Sequence, residues 1–342
     1  MHRRLTTLGV PALVIALVSL APSHAAGQDT TWTAPRTAHG HPDLQGVWSN
    51  NGATPLERPV NLADRESLSD EEVAEIEQRA NVILHDGDEQ AGDVLGGSLF
   101  RQAVEDPNLQ TFDDITGNYN TFWVVEQRFD NRTSLIIDPP NGRLPPLTEE
   151  AVGRRTDLAR SGALALSPEG PEDAGLTVRC LSYGAPNLLT GYNSYFQIVQ
   201  TPTHVVILQE LIHDARVIPL DGRPHLDEDV RQWHGDSRGR WEGDTLVVET
   251  RNYSPQSGIL AAQGIDAGSL HVVERFTRVG PTEVRWDVTF ADPTTWTRPW
   301  TASMFLQKSE DAIYEYACHE GNYSLDGMLA GARHQEGPAG VR

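Results

Sequence analysis

Two hydrophobic periods divide the chain. Through "DEEVAEIEQRANVIL", Val73, Ile76, Ala80 and Ile83 recur at helical spacing, and Ser69 with Glu72 three residues on forms a capping box that predicts the helix start. A second helix is predicted from Thr148 through "EEAVGRRTDLAR", and "FWVVEQ" and "TSLIIDPP" bracket "RFDNR" in the pattern of a hairpin. After about Val178 the period shortens to two. "THVVILQEL" and "ARVIPL" flank a turn at Ile212-His213-Asp214, and "DTLVVETRN" follows Glu242-Gly243. "SLHVVERFTR" pairs in pattern with "TEVRWDVTF", and "TASMFLQK" with "AIYEYAC" across Ser309-Glu310-Asp311. Short strands joined by tight polar turns, with no helix between them, predict a mainly β fold in which an antiparallel meander closes into a barrel. "NYSLDGMLAGARHQ" reads as a short C-terminal helix against it. The organisation expected is residues 1–25 as a signal peptide, 26–177 as an N-terminal extension with short helices, and 178–342 as the barrel region.

Alternation also singles out polar residues on apolar faces. Leu270, Val272, Glu274 and Phe276 share one face, and Val284, Trp286, Val288 and Phe290 share the matching face of the next strand. If both look inward, Glu274 is a carboxylate in an aromatic interior, and burial would raise its pKa unless an arginine compensates. Such an acid can serve as a general acid or base. In the same way Val206, Leu208, Glu210 and Ile212 alternate on one face, with His213, Asp214 and Arg216 at the adjoining turn. The competing reading is an ion pair inside the sheet, joining Glu210 or Glu274 to Arg216 or Arg275.

Residues 2–25 carry His2, Arg3 and Arg4, an apolar run from Leu8 to Ala21, and small residues Ser23 and Ala25 before a cleavage point, which reads as a secretory signal. That run is too short for a bilayer-spanning helix, so no membrane insertion is expected and the protein is placed in the periplasm or outside the cell. An oxidising destination makes pairing of the only two cysteines, Cys180 and Cys318, the economical inference. It would carry the loop "RCLSYGAPN" to His319, Glu320 and Tyr316 of "YEYACHEGNY". Against 27 basic residues stand 48 acidic ones, a formal net charge of −21, which disfavours nucleic acid as a partner. Lys308 is the sole lysine, so arginine carries nearly all the positive charge.

"WHGDSRGRWEGDTLVV" contains Gly235-Asp236-Ser237-Arg238-Gly239, which spells the G-x-S-x-G of a serine hydrolase. A nucleophile elbow needs a buried strand before the serine and a helix after it. Here the upstream "HLDEDVRQW" is too acidic and the downstream segment turns back into β structure, so the serine reading is rejected and the segment is read as a turn-rich loop. Trp233, His234, Asp236, Arg238 and Trp241 would then form a rim that binds ligand, since functional groups favour loops on a rigid scaffold. His39-Gly40-His41 and the scattered histidines show no metal-ligand spacing of known type, and no glycine-rich phosphate loop follows a strand; no metal and no cofactor are expected.

The blocks "PDLQGVWSN", "SLIIDPPNGRLPPLT", "GDSRGRWEGDTLVV", "LHVVERFTR" and "YEYACHEGNY" together resemble a widespread family of exported bacterial proteins. No activity is attached to that family, so the resemblance transfers no functional residue. The "LQGVW" opening and the later meander are similar in style to lipocalin-like barrels, which implies a ligand-holding interior. The expectation is an exported enzyme doing cofactor-independent acid/base chemistry (lyase, hydratase, isomerase or hydrolase) on a small, partly apolar or aromatic molecule. Glu210, His213, Glu274 and His319 would do the chemistry, and Trp233, His234, Asp236, Arg238, Trp241, Trp286 and Tyr316 would hold the substrate. A non-catalytic small-molecule binding protein is the first alternative and a carbohydrate-processing protein the second; the oligomeric state is left open.

Overall fold

The computed structural model describes residues 32–85, 98–105, 127–161, 168–188, 192–255 and 265–336. Residues 1–25, expected to be a signal, and most of the "FWVVEQ" arm lie outside the described residues. The chain separates into two compact units, Met1–Thr33 and Ala34–Arg342, and every element named below belongs to the second.

Ten antiparallel strands form one sheet: β1 (Gly46–Ser49), β2 (Ile136–Asp138), β3 (Tyr195–Gln200), β4 (His204–Gln209), β5 (Ala215–Pro219), β6 (Asp236–Glu242), β7 (Thr245–Arg251), β8 (His271–Arg278), β9 (Glu283–Ala291) and β10 (Trp300–Ser309). Their order in space is β5-β4-β3-β1-β10-β9-β8-β7-β6, and β2 also pairs with β10. Two meanders, β3–β5 and β6–β10, are joined by β1, which pairs with β3 on one side and with β10 on the other. The helices are α1 (Asp70–His85), α2 (Ser98–Glu105), α3 (Glu149–Ser161) and α4 (Ser324–Glu336). The capping box at α1 forms, with Glu72 N–H donating to Ser69 Oγ and Ser69 N–H to Glu72 Oε2, and Thr148 Oγ1 accepts from Ala151 N–H at the start of α3.

The period-two alternation predicts the inward faces of β8 and β9 correctly. Val272, Glu274 and Phe276 are buried, as are Val284, Trp286, Val288 and Phe290. The sheet curls strongly around them. Phe196 on β3 meets Trp286 on β9 edge to face at 5.6 Å, and Arg216 on β5, the first strand in the order, reaches Glu274 on β8, the seventh. The curl does not close by hydrogen bonding, because no ladder joins β5 to β6. These edges approach where Gly239 on β6 faces β5: a Cβ there would sit 2.8 Å from Ile218 Cγ2 and 2.7 Å from Leu220 Cδ2, so a larger residue would force those side chains to shift.

Three sequence expectations are corrected by this topology. "AIYEYAC" is not a strand, because both edges of β10 are occupied, by β9 on one side and by β1 and β2 on the other. Residues 236–242 are not a loop but the edge strand β6, whose few apolar residues hide its period. On β4 the buried side chains are Val205, Ile207 and Gln209, the opposite phase to the one expected, and a one-residue change of phase exchanges the two faces of a strand.

Candidate ligand cleft at the open edge of the sheet

The unjoined edges of β5 and β6 leave a cleft of about 850 Å³. β5 supplies Arg216 and Val217, the turn before it supplies Ile212, His213 and Asp214, the segment entering β6 supplies Arg231, Trp233 and His234, and β6 itself supplies Asp236 and Arg238. The loop after Cys180 closes one end with Leu181 and Ser182. That loop is anchored by the Cys180–Cys318 disulfide, which joins positions 138 residues apart.

Asp214 is the organising group of this cleft. Its Oδ2 accepts from Tyr183 N–H at 2.9 Å, Ser182 Oγ at 3.1 Å and Gln209 Nε2 at 3.1 Å, while Oδ1 lies 3.2 Å from His234 Nε2. Ser182 Oγ also accepts from Gly184 N–H at 2.9 Å and lies 2.8 Å from His234 Nε2. This is not a hydrolytic triad. Serine and aspartate meet the same ring nitrogen, whereas a triad holds the acid on the other one, and Ser182 is only 3% exposed.

Backbone strain gathers around the same place. Ile212 and His213 adopt φ of 57° and 45°, and Cys180 adopts 55°, a left-handed region that costs a non-glycine residue about 1–3 kcal/mol and is least tolerated by a β-branched one. Asn252, at φ 57°, donates from Nδ2 to Leu226 O and Asp227 O and so holds the cleft's outer wall. Such conformations persist where surrounding contacts impose them and concentrate at functional sites.

Of the residues expected from the sequence to form a site, His213, Trp233, His234, Asp236 and Arg238 line this cleft. Asp236 and Arg238 build its wall: Asp236 accepts from Leu226 N–H and Arg238 Nη1 and faces His225 Nδ1 at 2.9 Å, and Arg238 also donates to Pro224 O. Trp233 is 47% exposed at the rim.

The remaining expected residues sit elsewhere. Glu274 is fully buried, held by Arg216 through two hydrogen bonds of 2.5 and 2.9 Å and by Trp286 Nε1 at 3.2 Å. Burial opposes the charge of Arg216, but the attraction of Glu274 outweighs it and the guanidinium's pKa is raised. An interior void lined by Arg216, Trp286, Phe276 and Phe196, and on its other side by Asp214 and His234, measures about 10 Å³, room for about one water at most. Glu274 is therefore an interior ion-pair partner with every oxygen committed, not an accessible acid. Glu210 follows β4 instead of pointing into the sheet; burial pushes its carboxyl up, against hydrogen bonds from Asn193 and the Tyr314 backbone. Trp241 stacks on His41 at 4.8 Å, away from the cleft. Tyr316 has its phenol pushed up to about 12 by burial and by Tyr192, and its carbonyl meets His213 Nδ1 at 3.3 Å. His319 is exposed and does not reach the cleft. Ser237 lies within β6 with its hydroxyl on Thr250 Oγ1 at 2.9 Å, and no helix follows it.

Sequence reasoning missed Ser182, Gln209 and Arg231 altogether, and gave Asp214 and Arg216 no role in a site. The clue for Gln209 was its phase with Val205 and Ile207, two β-branched residues on the face that packs inward. Nothing local marks Ser182, which reaches Asp214 only because the disulfide loop folds back. Among the described residues no group of three or more His, Cys, Asp or Glu side chains is placed to hold a metal ion, and no helix is long and apolar enough to cross a membrane. No family model, curated protein or solved structure matches this chain.

Proposed function

We propose that the cleft between β5 and β6 binds a small, partly apolar or aromatic molecule carrying an anionic group. The observation that carries this reading is the lining: Arg216, Arg223, Arg231 and Arg238 converge on one cleft of a chain whose formal net charge is −21. Three of these are matched by Glu274, Asp221 and Asp236, and Arg231 bonds the Gly268 carbonyl and has no ion-pair partner among the described residues. Leu181, Val217, Leu226 and Trp233, each more than two-fifths exposed, supply an apolar rim beside it. Anionic recognition by a planar guanidinium with an aromatic platform next to it suits an aryl carboxylate or phosphonate.

The interior void that Arg216 and Trp286 line is too small for a ligand, which disfavours a lipocalin-like use of the sheet interior and moves the ligand to the open edge. The disulfide, which forms in oxidising compartments, supports the reading of residues 1–25 as an export signal and of the protein as periplasmic or secreted.

Calorimetric titration with benzoate, phenylphosphonate and the neutral analogue benzyl alcohol tests the proposal. Both anions are expected to bind, and Arg231→Ala is expected to weaken them about tenfold, as loss of one charge-assisted hydrogen bond does. Equal affinity for benzyl alcohol and the anions, or indifference to both Arg231→Ala and Trp233→Ala, overturns it.

A further inference from the structure

We infer that His234 is a general base held by Asp214, so that the cleft performs proton transfer on the molecule it binds; this rests on the ligand reading above. The tautomer follows from counting protons around Ser182. Its single hydroxyl proton goes to Asp214 Oδ2 and one lone pair takes the Gly184 N–H, so the group facing it at 2.8 Å, His234 Nε2, must bring its own hydrogen. Asp214 Oδ1, 3.2 Å from the same nitrogen, requires a hydrogen there as well. The neutral ring therefore carries its proton on Nε2 and its lone pair on Nδ1. Among the described residues no protein group bonds Nδ1, and Nδ1 is not one of the buried polar atoms left without a partner; His234 lines both the cleft and the 10 Å³ interior void, and we assign Nδ1 to the cleft, the one of the two with room for a ligand.

This arrangement prepares a base and then stabilises its product. When Nδ1 takes a proton, a substrate C–H or O–H bond breaks, an Nδ1–H bond forms, and the electron pair stays on the substrate. The imidazolium so made already faces a carboxylate that three further donors immobilise, which makes Asp214 a positioning residue. Return of the proton from Nδ1 to another substrate atom, or to water, completes the cycle. The net change is redox-neutral and needs no co-reactant, and isomerisation or elimination on an aryl or alkyl anion has this form. His213, one of the two histidines expected from sequence to do the chemistry, is exposed and has its Nδ1 against the Tyr316 carbonyl.

The Kemp elimination of 5-nitrobenzisoxazole by the full disulfide-bonded chain is the test. The base removes the C3 proton, the C–H electron pair becomes part of the nitrile as the N–O bond breaks, and the oxygen keeps the N–O pair, giving a single ring-opened cyanophenolate that is read by its absorbance. His234→Gln is expected to lower kcat about 100-fold, within the range a positioned base contributes, while benzoate affinity changes by less than about twofold. Asp214→Asn is expected to lower kcat about tenfold at unchanged KM and to alter the pH profile, a readout that loss of stability alone would not move. His319→Gln, a histidine change outside the cleft, is expected to leave the rate as it is. Intact benzoate binding with equal rates in wild type and His234→Gln overturns the base assignment and leaves the ligand reading standing; absent benzoate binding fails the ligand reading itself. Long-range ¹H–¹⁵N spectra of the unsubstituted protein give a check free of folding effects. The neutral His234 ring is expected to show the Nε2–H pattern, and an Nδ1–H pattern overturns the proposal.

Discussion

Glu274 and Asp214 are carboxylates with little or no solvent contact in one molecule, and they are put to opposite uses. Glu274 lies inside the curl of the sheet, fully buried, where Arg216 and Trp286 from two other strands fill its acceptor positions. Asp214 lies at the edge the sheet fails to join, and its four donors include one, His234, that lines the cleft and whose second nitrogen has no protein partner among the described residues. The difference teaches that burial of an acid is not in itself a mark of function. What matters is whether its donor set ends within the core or passes outward through a group with a free valence.

Substitutions at the two sites break the comparison if they behave alike. Glu274→Gln strands the Arg216 guanidinium in the core, and the expected loss is about 3–5 kcal/mol in urea unfolding, because the lone buried charge keeps its full desolvation cost. Replacing both partners with apolar residues of similar volume is expected to recover most of that loss. Asp214→Asn is expected to cost less, about 1–3 kcal/mol, since its backbone and hydroxyl donors keep an amide oxygen to bond and His234 retains access to water. An Asp214 effect as large as that of Glu274 would make the cleft a second structural core.

Glu210 supplies the smallest and most specific effect. Its pKa is raised above the ordinary value of 4.5, chiefly by burial, so the folded state holds this proton more tightly than the unfolded chain does. Stability from this group is complete below the ordinary carboxylate range and is lost as pH rises through the higher folded value. Glu210→Gln is expected to raise Tm at neutral pH and to leave it unchanged in acid, measured by thermal melts across that range. A variant that is less stable at neutral pH contradicts the assignment.

Much of the fold was legible along the chain. The two capped helices, the β8–β9 faces and the C-terminal helix follow from periods that a few neighbouring residues complete. The pairing of Cys180 with Cys318 followed from their being the only two. The β6 strand was not legible, because Gly239, Arg238 and Arg240 carry no alternation, and its strand identity comes from pairing with β7 over seven residues. The phase of β4 was misread because apolar residues occupy both of its faces: Val206 and Leu208 are as hydrophobic as Val205 and Ile207, so composition could not choose between them.

Half of the expected site reached the cleft, and the reason is local. Trp233, His234, Asp236 and Arg238 lie within six consecutive positions, so any fold that makes one of them line a cleft tends to bring the others. Glu210, Glu274 and Trp286 were joined to them by supposing a hollow interior, which the aromatic side chains fill, while Trp241 was joined as part of the same loop and Tyr316 and His319 through the disulfide.

The sequence by itself determined a mainly β protein, its helix starts, its inward-facing aromatic strands and its disulfide, because each depends on short-range periodicity or on a count. Tertiary structure alone decided that Arg216 neutralises Glu274, that β5 and β6 stay unjoined, and that Ser182, Asp214 and His234 meet. Those outcomes depend on how far the sheet curls before its interior is full, a sum over side-chain volumes from strands distant in sequence that no single stretch of the chain contains.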